Sequence, residues 1–193
     1  MARPGCVHWC VPARSQRHSL SCEARSACDL LAYYGRCVDE DDFLAGLARA
    51  TNPEEGFVGG VDDPGGGLPP AGYGVYEQPI AARMRAYGAP AQPVRGRDVV
   101  WLTDQIAQGR PVIVWATAHL DNPAPVTLTD DRGRTFPAVR YEHTFLAVGY
   151  DGCCIHLLDP ALGCEKEVSI RRFDASWAVL GRRAVVVEGS RAR

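Results

Sequence analysis

The sequence has almost no net charge, almost no lysine and no long hydrophobic run. Its 193 residues contain 21 basic and 23 acidic side chains, which leave a net charge of −2, and Lys166 is the only lysine. A nearly neutral chain lacks the basic surface that nucleic-acid binding requires, so no nucleic acid is expected as a partner. The longest largely apolar run, residues 112–118, is far shorter than the roughly 20 residues that span a bilayer, so no membrane segment is expected.

Residues 1–21 also lack the apolar stretch of a secretory signal, which predicts a cytoplasmic protein, with export as the alternative. Disulfides persist mainly in oxidising compartments, so this location favours reduced thiols over a disulfide framework. The cysteines concerned are Cys6, Cys10, Cys22, Cys28, Cys37, Cys153, Cys154 and Cys164.

The chain is 46% apolar and 23% charged, as in an ordinary globular domain. Helical patterns come first and strand patterns follow, which predicts an α+β fold with N-terminal helices packed on a mostly antiparallel sheet. We expect an irregular N-terminal arm over residues 1–15 and a single domain over 16–188. The predicted helices are 21–34, 40–50, 77–87, 98–109 and 169–179, and the predicted strands are 112–117, 135–140, 143–150, 154–158 and 184–188.

Residues 52–74 interrupt this pattern, because eight of these 23 residues are glycine and four are proline. Long loops inside compact domains are usually functional or disordered. A linker between two domains is one interpretation, but the flanking segments are too small to fold alone. We therefore interpret the segment as a loop that covers a site.

Cys22 is the first candidate for chemistry, because it lies at the start of the first predicted helix. Unpaired backbone N–H groups and the helix dipole at that position favour a thiolate, and a thiolate is a nucleophile near neutral pH. The alternative is that Cys22 is simply a small buried residue.

His143 and Asp159 are the second candidate. A nucleophilic thiol needs a histidine to exchange protons with, and His143 begins an apolar strand. A turn centred on residue 151 would place His143 opposite Asp159 on the same face, where the carboxylate can orient the imidazole. An even-length connection would put the two on opposite faces. Glu142, next to His143, should point to the opposite face. The alternative is a structural histidine beside a turn.

Gln16 and a short Cys-His-Cys pattern are weaker candidates. The Gln16 amide and the backbone N–H of Cys22 could bind the oxyanion of a tetrahedral intermediate, although a glutamine in an arm is usually only solvated. Cys6, His8 and Cys10 offer soft ligands, but their spacing is unlike a usual zinc site, so we predict no metal.

The sequence resembles the bacteriocin-leader-processing-like cysteine peptidases of the papain-like superfamily over roughly residues 16–180. The resemblance rests on Gln16 and Cys22, on Leu-Ala-Tyr-Tyr-Gly at 31–35, Gly-Tyr-Gly-Val-Tyr at 72–76 and Gly-Arg-Pro-Val-Ile-Val at 109–114, and on His143 and Asp159-Pro160. It implies a papain-like peptidase fold with Cys22 as nucleophile, His143 as general acid and base, Asp159 as the orienting carboxylate and Gln16 as oxyanion donor. Glu23 departs from the glycine that commonly follows the cysteine in this family.

These residues predict a hydrolase that cleaves peptide amides through a thioester without any cofactor, and whose partner is a peptide or protein substrate. The same thioester could instead pass its acyl group to an amine, as in a transferase. A third hypothesis is a non-catalytic module that binds peptides in the cleft. The sequence sets no oligomeric state and no substrate identity.

Overall fold

The computed structural model describes residues 5–189, and its elements follow the predicted α+β order. Every pairing between its strands is antiparallel. The described range holds no helix that is both long and apolar enough to cross a bilayer. The elements are β1 (Val7–His8), α1 (Cys22–Tyr33), α2 (Glu40–Ala45), α3 (Glu77–Ala86), β2 (Ala91–Val94), α4 (Val99–Ala107), β3 (Val112–Thr117), β4 (Val126–Thr129), β5 (Thr135–Ala138), β6 (Glu142–Tyr150), β7 (Cys154–Asp159), β8 (Cys164–Ser169), α5 (Ile170–Ala178) and β9 (Ala184–Val187).

A seven-stranded sheet forms the centre of the molecule. Its strands run in the order β2-β9-β3-β6-β7-β8, with β1 paired to the end of β6, while β4 and β5 form a separate hairpin. The first three helices pack on one face, where Leu31 and Ile80 join the core. The remaining two cover the other face through Ile106 and Trp177. The predicted packing of N-terminal helices on a sheet is confirmed, and α4 and α5 complete a three-layer arrangement.

Helix α1 is the central helix, and all but one of its 12 residues are buried. Two of its buried charged residues are paired, since Arg25 contacts Glu40 of α2 at 3.0 Å and Asp29 of α1 itself at 3.2 Å. A buried charge without a partner is costly, so these contacts hold α1 in one orientation against α2. The first residue of α1, Cys22, is thereby held in place as well.

Helix α2 is shorter than predicted and ends at Ala45 instead of residue 50. Beyond it the chain turns to pair with the start of the glycine-rich loop, where the N–H of Phe57 donates to the carbonyl of Ala48 at 2.7 Å. These hydrogen bonds replace the i to i+4 bonds that would have continued the helix.

Four short strands (β1, β2, β4 and β8) escaped the sequence analysis. Except for β1, each lies at the edge of its sheet, where solvation removes the apolar run that identifies a central strand. Strand β1 lies inside the segment that was predicted to be irregular, and residues 1–4 of that arm lie outside the described residues. All eight cysteines are free thiols.

Candidate active site

One cavity of about 190 Å³ is lined by all four candidate residues, Cys22, His143, Asp159 and Gln16. The cavity lies between the start of α1, the start of β6 and the loop over residues 52–74. The structure therefore brings all four candidate site residues together. The loop lines the site through Gly65, Gly66, Gly67, Gly72 and Tyr73, as the site-covering interpretation predicts.

The His143 ring is held by Asp159, with 2.8 Å between its Nε2 and the carboxylate Oδ1. The backbone N–H of Ala161 donates to the same oxygen at 2.9 Å, and the Lys166 ammonium lies 2.6 Å from Oδ2. Burial by itself would raise the pKa of Asp159, but the hydrogen bonds from His143 and Lys166 outweigh it and lower this pKa to about 2. Asp159 is therefore a carboxylate throughout the neutral range, and it orients the imidazole so that Nδ1 is the nitrogen left for other partners.

The contact between His143 and Asp159 arises from a register that differs from the predicted one. Near the hairpin tip Tyr150 pairs with Ile155, and the resulting even-length connection would put the two site residues on opposite faces. A β-bulge between Ala147 and Gly149 adds one residue and restores a common face. The two side chains are consequently offset by two residues along the strands and meet diagonally, so the predicted direct pairing is wrong.

Cys22 begins α1 and is only 6% exposed. Ser21 does not cap the helix through its side chain, because its hydroxyl donates to Glu40 at 2.6 Å instead. Burial raises the pKa of the Cys22 thiol well above its usual value, and the neighbouring Glu23 and Glu142 raise it further. Hydrogen bonds with Thr144 act in the opposite direction but do not compensate. The expectation of a preformed thiolate is therefore wrong, because desolvation and two acidic neighbours outweigh the helix terminus.

Two acidic side chains lie beside the sulfur, the buried Glu23 and the half-buried Glu142. The Cys22 thiol donates to Oε2 of Glu23 at 3.3 Å, and Oε1 of Glu23 accepts the backbone N–H of Val75 at 2.7 Å. Burial raises the pKa of Glu23 to about 7. Burial and the neighbouring Glu23 raise the pKa of Glu142 well above its usual value, and both Glu142 oxygens are buried without a hydrogen-bond partner within residues 5–189. The sulfur and one oxygen from each carboxyl group lie within 4.8 Å of one another.

The sequence analysis missed the part that Glu142 has in this site. Strand alternation does turn its side chain away from the face of His143, as predicted. That other face is covered by α1, since the hydroxyl of Thr144, two residues along β6, lies 3.4 Å from Ser26. Glu142 therefore reaches the start of α1. Alternation along β6 was the signal that could have identified Glu142. The sequence analysis also missed the contact between Lys166 and Asp159, for which the signal was that Lys166 is the only lysine of the chain.

The Gln16 side chain is already engaged with its own loop. Its Nε2 donates to the carbonyl of His18 at 2.7 Å and to that of Ser19 at 3.1 Å. Its Oε1 is buried and has no hydrogen-bond partner in the part of the chain that the structure describes. Its backbone N–H donates to the carbonyl of Pro160 at 2.7 Å, which ties this segment to the end of β7. To donate to an oxyanion, the amide must release one of these two carbonyls.

Comparisons with known proteins agree with the fold. A solved structure from Bacillus anthracis, assigned as a C39-like peptidase, has a TM-score of 0.85 at 24% identity and covers 97% of this chain and 99% of that chain. A double glycine motif protease from an AMS/PCAT transporter, solved in complex with the leader peptide, has a TM-score of 0.57 at 16% identity over 94% of each chain. The uncharacterized protein YvpB from Bacillus subtilis (strain 168) is 26% identical over 177 residues, which are 86% of this chain and 68% of YvpB. The model of the Peptidase_C39 like family matches residues 9–185, and the chain therefore belongs to this family.

Proposed function

We propose that the protein is a cysteine peptidase that hydrolyses peptide amide bonds with Cys22 as the nucleophile. His143 serves as general acid and base, and Asp159 orients it. The observation that carries the proposal is the 2.8 Å contact between His143 and Asp159 in a small cavity that the helix-start thiol also lines. Membership of a peptidase-like family supports the same reaction type.

The raised pKa of Cys22 determines how the reaction begins. Because the sulfur carries its proton at rest, this proton moves from Sγ to Nδ1 of His143 as the sulfur attacks the peptide carbonyl. Asp159 stabilises the imidazolium that forms. The backbone N–H of Cys22 and the Gln16 amide, once it leaves its loop carbonyls, donate to the oxyanion.

The intermediate then collapses to a thioester. The C–N bond breaks while the imidazolium gives its proton to the leaving amine. A water molecule next loses a proton to His143 and attacks the thioester carbonyl, which releases the carboxylic acid and returns the proton to the sulfur. The proton is thus exchanged between Cys22, His143, the leaving amine and water, and the enzyme ends as it began.

The substrate class follows from the cavity and from one structural relative. The double glycine motif protease was solved with a peptide bound, and we extend peptide binding to this chain. Four glycines in the wall of the cavity expose backbone N–H and carbonyl groups to a bound segment. An extended peptide can hydrogen-bond to such groups without regard to its side chains.

The proposal is tested with the wild-type protein and the Cys22→Ala variant on a mixture of unstructured peptides, with products identified by mass spectrometry. New peptide ends that form only with the wild type are expected. Added amine nucleophiles that become joined to the acyl product would indicate a transferase instead. Equal product formation by both proteins would contradict the proposal.

A peptide-binding module is the second candidate, because Cys22 is a neutral thiol and the Gln16 amide is occupied. This candidate predicts that Cys22→Ala binds peptides as tightly as the wild type and that neither protein cleaves them. Isothermal titration with the same peptides distinguishes the two functions.

A further inference from the structure

A second cluster of histidine and carboxylate side chains lies outside the cavity. Nε2 of His8 lies 2.8 Å from Oε2 of Glu165, and Nδ1 of His156 lies 3.0 Å from Oε1 of the same carboxylate. One atom from each of these three side chains lies within 4.8 Å of the other two. The cluster has no part in the reaction proposed above.

Four adjacent strands build this cluster, because its side chains come from β1, β7 and β8 and strand β6 lies between β1 and β7. His8 of β1 pairs with Gly149 of β6, and Gly149 pairs with His156 of β7, so the two rings flank a residue without a side chain. The ring centroids are 5.5 Å apart. A Cβ atom at position 149 would lie 3.0 Å from the His8 ring and 2.7 Å from the carbonyl of Val7, so glycine allows the two imidazoles to approach.

The second nitrogen of His156 faces another carboxylate. Its Nε2 is buried without a hydrogen-bond partner among the described residues, and Oδ2 of Asp151 lies 3.6 Å away. Asp151 is itself fixed by the backbone N–H groups of Cys153 and Cys154, each at 2.8 Å. A histidine that binds a metal through one nitrogen commonly donates its other N–H to a carboxylate, and Asp151 needs to approach Nε2 only slightly to accept it.

We propose that His8, His156 and Glu165 bind one divalent transition-metal cation, for which Zn²⁺ is the best match. Two imidazole nitrogens and a carboxylate oxygen are a common set of zinc ligands, and water can fill the fourth position. Each imidazole turns a lone pair to the cation in place of its present contact with Glu165. The bound cation fastens the N-terminal strand β1 to β7 and β8.

This site differs from the zinc pattern considered in the sequence. Cys6 and Cys10 lie near His8 in the chain, but the ligands that join His8 come from two strands more than 140 residues away, as its pairing with Glu165 across 157 positions shows. The Cys-His-Cys pattern therefore contains one proposed ligand, His8, and the pairing of the strands brings His156 and Glu165 to it.

The test uses the full chain, stripped with a chelator and titrated with Zn²⁺ by calorimetry. We expect one bound ion per chain, and we expect His156→Gln and His8→Gln each to weaken binding by about 10–100-fold. The control is His119→Gln, which replaces an exposed histidine outside the cluster and should bind as the wild type does. Circular dichroism confirms that the variants fold.

Loading with Co²⁺ identifies the ligands. A site of nitrogen and oxygen ligands gives weak visible bands, whereas a cysteine thiolate adds an intense charge-transfer band in the near ultraviolet. We expect the weak bands alone, and we expect Cys153→Ser to leave them unchanged. The proposal is overturned if the protein binds no Zn²⁺ at about 100 μM, roughly the weak end of specific affinities, if both histidine variants bind as the wild type does, or if the charge-transfer band appears.

Discussion

The β6–β7 hairpin contributes to two pairs of histidine and carboxylate that differ mainly in their surroundings. His143 and Asp159 meet at its open end, where the two side chains are only 8% and 4% exposed. His156 and Glu165 meet near its tip, with side chains that are 12% and 34% exposed. The N···O distances are similar, at 2.8 and 3.0 Å. The two pairs therefore differ in their exposure to water and in the third group that they contact, and not in the length of the contact between histidine and carboxylate.

Alternation along the strands places the two pairs on opposite faces of the sheet. His143 packs edge-on against Phe145, whose ring belongs to the core under α4 and α5. His156 shares its face with Leu158, which packs in the core under α1. His143 and Asp159 line the cavity that Cys22 also lines, whereas His156 and Glu165 meet a second imidazole from the N-terminal strand.

Asp159→Asn and Glu165→Gln are equivalent changes in the two pairs, and they should differ most in activity. If the peptidase function holds, Asp159→Asn should lower kcat/KM by about 10²–10⁴-fold, because the imidazole loses the partner that sets its tautomer. Glu165→Gln should stay within about twofold, as surface changes usually do. Peptide cleavage kinetics measure both, and equal effects of the two variants would contradict the distinction.

Lys166→Met tests the support of the buried pair. The variant loses a charge-assisted hydrogen bond to Asp159, so we expect kcat/KM to fall by about tenfold. The pKa of Asp159, now lowered to about 2, should rise, and the acid limb of the pH profile should move to higher pH. Lys166→Arg keeps the charge and should restore most of the activity. A loss of activity without a shift of the acid limb would indicate a merely structural lysine.

Glu142→Gln tests how the acidic neighbours hold Cys22 as a thiol. Removing one acidic side chain should lower the pKa of the sulfur, so the midpoint of Cys22 alkylation by iodoacetamide should move down by about one pH unit. Peptide mapping separates Cys22 from the other thiols. The matched control is Asp62→Asn, an acidic residue outside this cluster. An unchanged midpoint in Glu142→Gln would show that burial and Glu23 raise the pKa of Cys22 without a contribution from Glu142.

Glu23→Gln should change the dependence of stability on pH. The folded pKa of Glu23 is raised to about 7, so its contribution is fully present below the unfolded pKa of about 4.3. That contribution is lost as the pH rises through 7. When the pH is lowered from 8 to 5, the Tm of the wild type should therefore rise relative to that of the variant, whose amide does not titrate. Parallel Tm curves for the two proteins would contradict this assignment.

The order of the elements could be read from the sequence, because apolar periodicity is local. Helices α1 and α3 and strands β3 and β6 lie within one residue or so of their predicted bounds. The glycine-rich loop and the helix-start cysteine were equally visible, and the structure brings them to one cavity. The edge strands could not be predicted, since a solvated strand such as β8 carries charged residues instead of an apolar run.

The register of the hairpin could not be predicted for a different reason. A β-bulge is one inserted residue, and no local pattern marks it here. The sequence analysis correctly placed Asp159 beside His143 although it assumed a different register. The contact forms because the even-length connection and the bulge compensate each other.

The sequence by itself determined which reactive groups exist and which elements carry them, since helix starts and strand faces depend on residues a few positions apart. Tertiary structure alone decided the protonation of Cys22, the part played by Glu142 and the assembly of His8, His156 and Glu165. Each of these depends on burial and on charges that arrive from distant strands and helices, and both act through space.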